Sequence, residues 1–154
     1  MFRADQGQGG WIVTPLLGAA GHLDVAGVIT DVAVDLADNT RASVYVAFGG
    51  IATQSISSSH VWWFDGHDWQ PRSGTAPAGL LNVEHNALAI DPQNPNHIYV
   101  GADIGVWHSS DGGRSWEILQ NGLPDAPVFD LQIHPTQRLL RAATHGRGIF
   151  EMSI

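Results

Sequence analysis

The side chains able to do chemistry in this chain are dispersed along it. Asp31, Glu84, Asp103 and Asp130 are the carboxylates that could act as catalytic groups, with Asp125 as a further partner. A pair drawn from them would serve as acid and base for glycosidic-bond cleavage, which needs carboxyl groups about 5–9.5 Å apart. A histidine beside an aspartate could hold a metal, and His60, His85 and His145 are the candidates. The 8 His show no H-x-x-x-H or H-E-x-x-H spacing, however, so no metal centre is expected. The third chemistry is ligand binding. His60, His85, Asp103, Asp125, His145 and Arg147 are polar groups that could orient a sugar or a peptide against the faces of Trp62, Trp63 or Trp107. Those three tryptophans lie in strand-like runs, where alternate residues are core.

Composition narrows the class. The chain has 154 residues, enough for one domain with a real core, and 18 Gly, 8 Pro and 6 Trp against only 7 Lys+Arg. That balance suits many short strands joined by turns. No window sustains a helical apolar period with caps. The formal net charge of −8 argues against a nucleic-acid partner and against an anionic membrane surface. There is no apolar run long enough for a transmembrane helix, and residues 1–6 lack the pattern of a signal peptide. Absence of cysteine excludes disulfides and thiolate sites and leaves the compartment open.

The elements that must position these residues repeat. Residues 29–35 with 43–48, 85–91 with 97–101, and 129–135 with 139–144 each read as an alternating strand, a polar turn and a second strand. Val34 to Ile90 is 56 positions and Ile90 to Ile133 is 43, near the blade periods of roughly 40–50 residues in propellers. Outer strands follow at 105–108 and 116–119 around Ser109-Ser110-Asp111-Gly112-Gly113-Arg114-Ser115-Trp116. In that turn Asp111 can accept hydrogen bonds from nearby amides, Gly112 and Gly113 can take positive φ, and Trp116 can fold back over the turn. A shortened version stands at Asp65-Gly66-His67-Asp68-Trp69.

The Ser109–Trp116 turn resembles an Asp-box, and the chain resembles the C-terminal blades of the Asp-box (BNR-repeat) β-propellers, a family that includes sialidases, xyloglucan-type glycoside hydrolases, sortilin-type receptors and photosystem assembly factors. The runs 89–101, 105–113 and 143–151 carry the resemblance, with Ser109, Asp111, Gly113, Ser115 and Trp116 as the structural Asp-box residues. The resemblance implies an all-β propeller of four-stranded antiparallel blades. It does not specify function. Sialidases use a tyrosine nucleophile, whereas Tyr45 and Tyr99 sit at matching mid-strand positions that packing explains. The xyloglucan hydrolases use aspartates across a cleft between two propellers.

On this reading 28–79 and 85–122 are complete blades. Residues 127–154 are the inner strands of a terminal blade, and 1–22 supply the outer strand or strands that complete it, with 2–7 as the worn end of an Asp-box. Three blades fall short of the usual 4–8. A head-to-tail homodimer of six blades is therefore expected, a fragment of a larger propeller being the alternative. The second-to-third loops (Ser57, Ser58, Ser59, His60; Asp103; His145, Arg147) and the blade links (Glu84, His85; Asp125; His22, Asp24) share one face, opposite the Asp-box and the 91–96 turn. Arg147 is expected to lock its loop through a neighbouring acid. No cofactor is expected, with Ca²⁺ at Asn94-Pro95-Asn96 as a minor possibility. The expected function is a non-catalytic module that self-assembles and binds carbohydrate or peptide. A subunit or remnant of a propeller glycoside hydrolase, and a structural fragment without activity of its own, are the alternatives.

Overall fold

The computed structural model describes residues 2–17, 27–40, 42–51, 59–120, 122–123 and 125–154. They form an all-β chain of four antiparallel sheets, with no helix among the described residues. β1 (Phe2–Gly7) and β2 (Gly10–Pro15) make an N-terminal hairpin. β3 (Val28–Val34), β4 (Ser43–Gly49), β5 (Val61–Asp65) and β6 (Trp69–Pro71) make the first four-stranded sheet. β7 (His85–Ile90), β8 (Ile98–Ala102), β9 (Gly105–Ser109) and β10 (Glu117–Ile118) make the second. β11 (Val128–His134), β12 (Leu139–Thr144) and β13 (Gly148–Ser153) make a three-stranded third sheet. Each sheet is a meander in chain order.

Residues 2–7 differ from expectation. They are not the end of a turn but strand β1, in register with β2 from Phe2–Pro15 to Gly7–Gly10. A two-residue Gln8-Gly9 connection closes the hairpin, the tightest loop that antiparallel strands allow.

The repeat is visible in a shared irregularity. The register slips by one residue at Thr30 in β3, at Asn86 in β7 and at Phe129 in β11. These bulges make Asp31, Ala87 and Asp130 equivalent positions, and likewise Ile29, His85 and Val128. The first strands stack on one another, β3 on β7 and β7 on β11. Between the first and second sheets lie Tyr45, Ala47 and Val61 against Leu88, Ile98, Val100 and Trp107. Between the second and third lie Ala87, Ala89, Tyr99 and Val106 against Val128, Leu140 and Ala142. Tyr45 and Tyr99 are 5% and 4% exposed, packed on Trp63 and His108. The outer face of the first sheet buries Val44, Val46, Phe48, Phe64 and Trp69 with Leu16, whose carbonyl accepts the Trp69 indole N–H at 3.3 Å.

The Ser109–Trp116 turn holds the second sheet to the first. Asp111 Oδ1 accepts the amides of Arg114 and Ser115, each at 2.9 Å, and the Ser109 hydroxyl at 2.8 Å, while Oδ2 accepts the Ser115 hydroxyl at 2.6 Å. Burial alone would raise the Asp111 carboxyl, but hydrogen bonds from Ser115, Ser109 and Arg114 outweigh it and hold the pKa at about 2. Trp116 is buried and donates its indole N–H to the Arg72 carbonyl at 2.8 Å. At Gly113, where φ is +83°, a Cβ would stand 2.9 Å from that same carbonyl oxygen, so only glycine fits. The Gly112 amide donates to the Asn96 carbonyl at 2.9 Å, which puts this turn beside the 91–96 turn, as expected. The one carboxylate of the 91–96 turn, Asp91, is held by the Arg138 guanidinium of the third sheet through two hydrogen bonds.

Asp111→Ala removes four hydrogen bonds from a packed turn and is expected to cost about 2–3 kcal/mol of stability. Asp65→Ala, at a more open turn where the carboxylate accepts the His67 and Asp68 amides, costs less. Urea midpoints of the two variants check the order.

Candidate functional site

The expected site lies at the end of the sheets that carries the second-to-third connections and the links between sheets. There the fold brings Glu84, His85, Asp103, Asp31 and His60 to the junction of the first and second sheets. Glu84, in the link before β7, accepts the Gly50 amide on Oε2 at 2.8 Å, and its carbonyl accepts the Asp103 amide at 3.1 Å. Asn86 Nδ2 donates to Asp103 Oδ1 at 3.1 Å, and the Thr30 hydroxyl donates to the His85 carbonyl at 2.7 Å. The approach is close enough that a Cβ on Gly49 would meet Thr30 at 2.8 Å and Glu84 at 2.9 Å.

The carboxylates of this cluster are used in hydrogen bonding. Asp31 accepts the Val32 amide on Oδ1 and the Leu88 amide on Oδ2, both at 2.7 Å, and so ties the first strand of one sheet to the first strand of the next. Asp103 and Glu84 hold Asn86 and Gly50. Asp130, equivalent to Asp31, is exposed on the open side of the third sheet. Asp125, His145 and Arg147 are also exposed and belong to the third sheet and its link; the His145 ring tilts against Phe129 with centroids 5.7 Å apart. Arg147, expected to pair with an acid, has no ion pair among the described residues. Ser57, Ser58, His22 and Asp24 lie outside the described residues. Trp62 and Trp63 are half-buried and Trp107 is buried in the core between sheets, its indole N–H without a partner. Among the described residues no group of three or more acidic or histidine side chains could hold a metal.

Thr30, Asn82 and Asn86 join the cluster without having stood out in the sequence. The bulges at Thr30 and Asn86 turn these side chains toward the junction, and a bulge leaves little mark on an alternating pattern.

The most perturbed group is His85. It is fully buried, and its ring lies 4.6 Å from that of His60, which is 3% exposed and pairs through Nε2 with Asn82 Oδ1 at 3.2 Å. Neither His85 ring nitrogen has a hydrogen-bond partner; the main chain of Val83 approaches without reaching hydrogen-bond geometry. Burial first, and the neighbouring His60 second, hold its pKa down at about 3, so the folded protein keeps this imidazole neutral. A neutral, enclosed ring of this kind suits packing rather than proton transfer at neutral pH.

Unfolded, His85 titrates near its ordinary 6.5; folded, near 3. Between those values the unfolded chain binds the extra proton, so stability falls as pH drops below about 6.5, by up to about 1.4 kcal/mol per pH unit from this group. His85→Phe flattens that slope and holds or raises stability at neutral pH, since it replaces two unsatisfied nitrogens by apolar surface. Urea midpoints between neutral pH and about pH 4 measure both effects.

No family model matches this chain, and no curated protein matches it. Solved structures do. An ancestral GH74 enzyme superposes with a TM-score of 0.59 at 21% identity, covering 78% of this chain and 14% of that one. The GH74 xyloglucanase from Xanthomonas campestris superposes with a TM-score of 0.61 at 17% identity, covering 98% of this chain and 26% of that one. This chain thus spans about a quarter or less of the length of these enzymes, and at such identities the likeness is one of fold: an all-β, propeller-like stack of antiparallel sheets.

Proposed function

We propose that this chain is a non-catalytic Asp-box β-propeller module of three blades that closes into a ring with a second copy and offers its loop face to a carbohydrate or peptide. A comparison of equivalent positions carries the reading. His85 and Leu88 in the second sheet are 0% and 5% exposed, and Val128 and Leu131 in the third are 1% and 5%, because a preceding sheet covers them. Ile29 and Val32, at the same positions of the first sheet, are 45% and 46% exposed. The N-terminal hairpin stands over this flank without filling it: a cavity of about 530 Å³ separates Phe2 and Ala4 from Val32 and Val34. The first sheet is thus built to be covered.

The open flank of the third sheet offers the matching partner. Asp130 occupies the position from which Asp31 reaches the Leu88 amide, and Val32 of a second copy stands at the position equivalent to Leu88. Arg141 and Glu151 form an ion pair at the cross-strand positions that hold Tyr45 with Trp63 and Tyr99 with His108 in the other sheets. The closing junction is therefore more polar than the internal ones. A non-catalytic role is supported by the use of Asp31, Glu84 and Asp103 in hydrogen bonds. The likeness to GH74 enzymes favours a second reading, a subunit or remnant of a propeller glycoside hydrolase.

Light scattering is expected to give twice the 16.5 kDa chain mass, reverting to the single mass in Val32→Glu. A wild-type protein that stays at 16.5 kDa up to about 100 μM, far above the Kd of a stable dimer, ends the ring reading. Release of reducing sugar from xyloglucan that is lost in Glu84→Gln or Asp103→Asn would establish the hydrolase reading in place of the binding one.

A further inference from the structure

Among the described arginines, Arg3, Arg138 and Arg141 are ion-paired with Asp5, Asp91 and Glu151. Arg72 and Arg114 are not, although the chain carries 15 Asp+Glu against 7 Lys+Arg. Their side chains meet at the end of the sheets that carries the Ser109–Trp116 turn, Arg72 reaching there along Trp63 from main chain that pairs with Val61. Arg72 is set over the Trp63 ring, 4.6 Å from its centroid, and Arg114 is fixed by a 2.8 Å hydrogen bond from Nη1 to the Asp111 carbonyl. Both line a crevice of about 130 Å³ with Tyr45, Asn96 and Gly112. The absence of a side chain at Gly112 opens its centre: a Cβ there would stand 3.6 Å from the Tyr45 hydroxyl, 3.7 Å from Arg114 Nη1 and 3.8 Å from Asn96 Oδ1. The one carboxylate at the crevice, Asp35, lies beyond ion-pair distance of both arginines and accepts the Ala37 amide at 2.8 Å.

Two guanidiniums side by side repel each other, and Arg114 ranks after burial in disfavouring the charge on Arg72. A bound anion would relieve this repulsion and take up N–H groups beyond those that Arg72 and Arg114 donate to the Pro71 and Asp111 carbonyls, in a fork geometry that suits carboxylate and phosphate oxygens. We propose that the crevice between Arg72, Arg114 and Tyr45 is an oxyanion site that takes a single carboxylate, as on a uronic acid, or a single phosphate group. The volume admits one such group and leaves the rest of its carrier at the surface. The site lies at the opposite end of the sheets from the loop cluster of Glu84, His85 and Asp103, and it does not depend on self-association.

Titration of the protein with sodium phosphate, sodium glucuronate and glucose, followed by the Nε–Hε resonances of the arginines, tests it. Phosphate, glucuronate or both are expected to shift Arg72 and Arg114 together, with glucose silent. A response to phosphate alone identifies a phosphate ligand, and a response to glucuronate alone a carboxylate. Arg114→Gln, an exposed position whose change leaves the core intact, weakens the response about tenfold or more. Failure of both anions to move Arg72 and Arg114, a response to glucose equal to that of glucuronate, or unchanged affinity in a folded Arg114→Gln would each overturn the proposal.

Discussion

The sheets of this protein carry apolar side chains on both faces, and each face needs a cover. That constraint organises everything else. The second sheet meets it on both sides: Leu88, Val100 and Trp107 face the first sheet, and Ala87, Ala89 and Tyr99 face the third. Small residues on one side allow the close approach, as at Gly101, where a Cβ would stand 2.7 Å from Val128 Cγ1. Among the described residues one face of the first sheet is met only by the N-terminal hairpin and one face of the third has no neighbouring sheet, and they answer differently. The first buries Val46, Phe64 and Trp69 under its own aromatics and Leu16 yet leaves Val32 and Val34 open, while the third turns Asp130, Gln132, Arg141 and Glu151 outward.

Polar groups at both ends of the stack serve the same constraint. Sheets packed through side chains share no backbone ladder, so their alignment rests on individual hydrogen bonds from one sheet to the next. Asp31 to Leu88, Trp116 to Arg72, Thr30 to His85 and Arg138 to Asp91 are such bonds. This is why Asp31 and Glu84, which stood out as acid–base candidates, have backbone amides for partners. His85 fits the pattern as a shape: its ring fills the position taken by Val128 in the next sheet and tilts against His60, at the cost of two unsatisfied nitrogens.

Much of this was legible in the residues. The Ser-x-Asp-x-Gly-x-Ser-Trp spacing carries its own mechanism, since Asp111 bonds within its own turn and Trp116 folds over it; local chemistry of that kind needs no knowledge of distant contacts. The alternating runs marked β3 with β4, β7 with β8 and β11 with β12, and the outer strands β9 and β10 followed from their place on either side of that turn. The first strand of the hairpin at 2–15 was not legible, because Phe2 to Gly7 alternates over only its first four residues and holds no β-branched residue, and its pairing with β2 supplies the order that its own sequence lacks. Arg147 was expected to find an acid and stands exposed, without an ion pair among the described residues.

By itself the sequence determined the strand repeat, the tight turn at Ser109–Trp116 and the all-β class, because these rest on periods, short-range hydrogen bonds and backbone preferences within a few residues. Only the tertiary structure decided which polar residues are free. Asp31 and Asp130 occupy the same place in the repeat, and one is tied to Leu88 while the other faces outward, a difference made by whether another sheet follows. Arg72 and Arg114 lie 42 positions apart in the chain and share one crevice because Trp116 fastens the second sheet's turn to the first sheet's last strand. Contacts of that range depend on how sheets stack, and stacking is set by the fit of whole faces rather than by any local pattern.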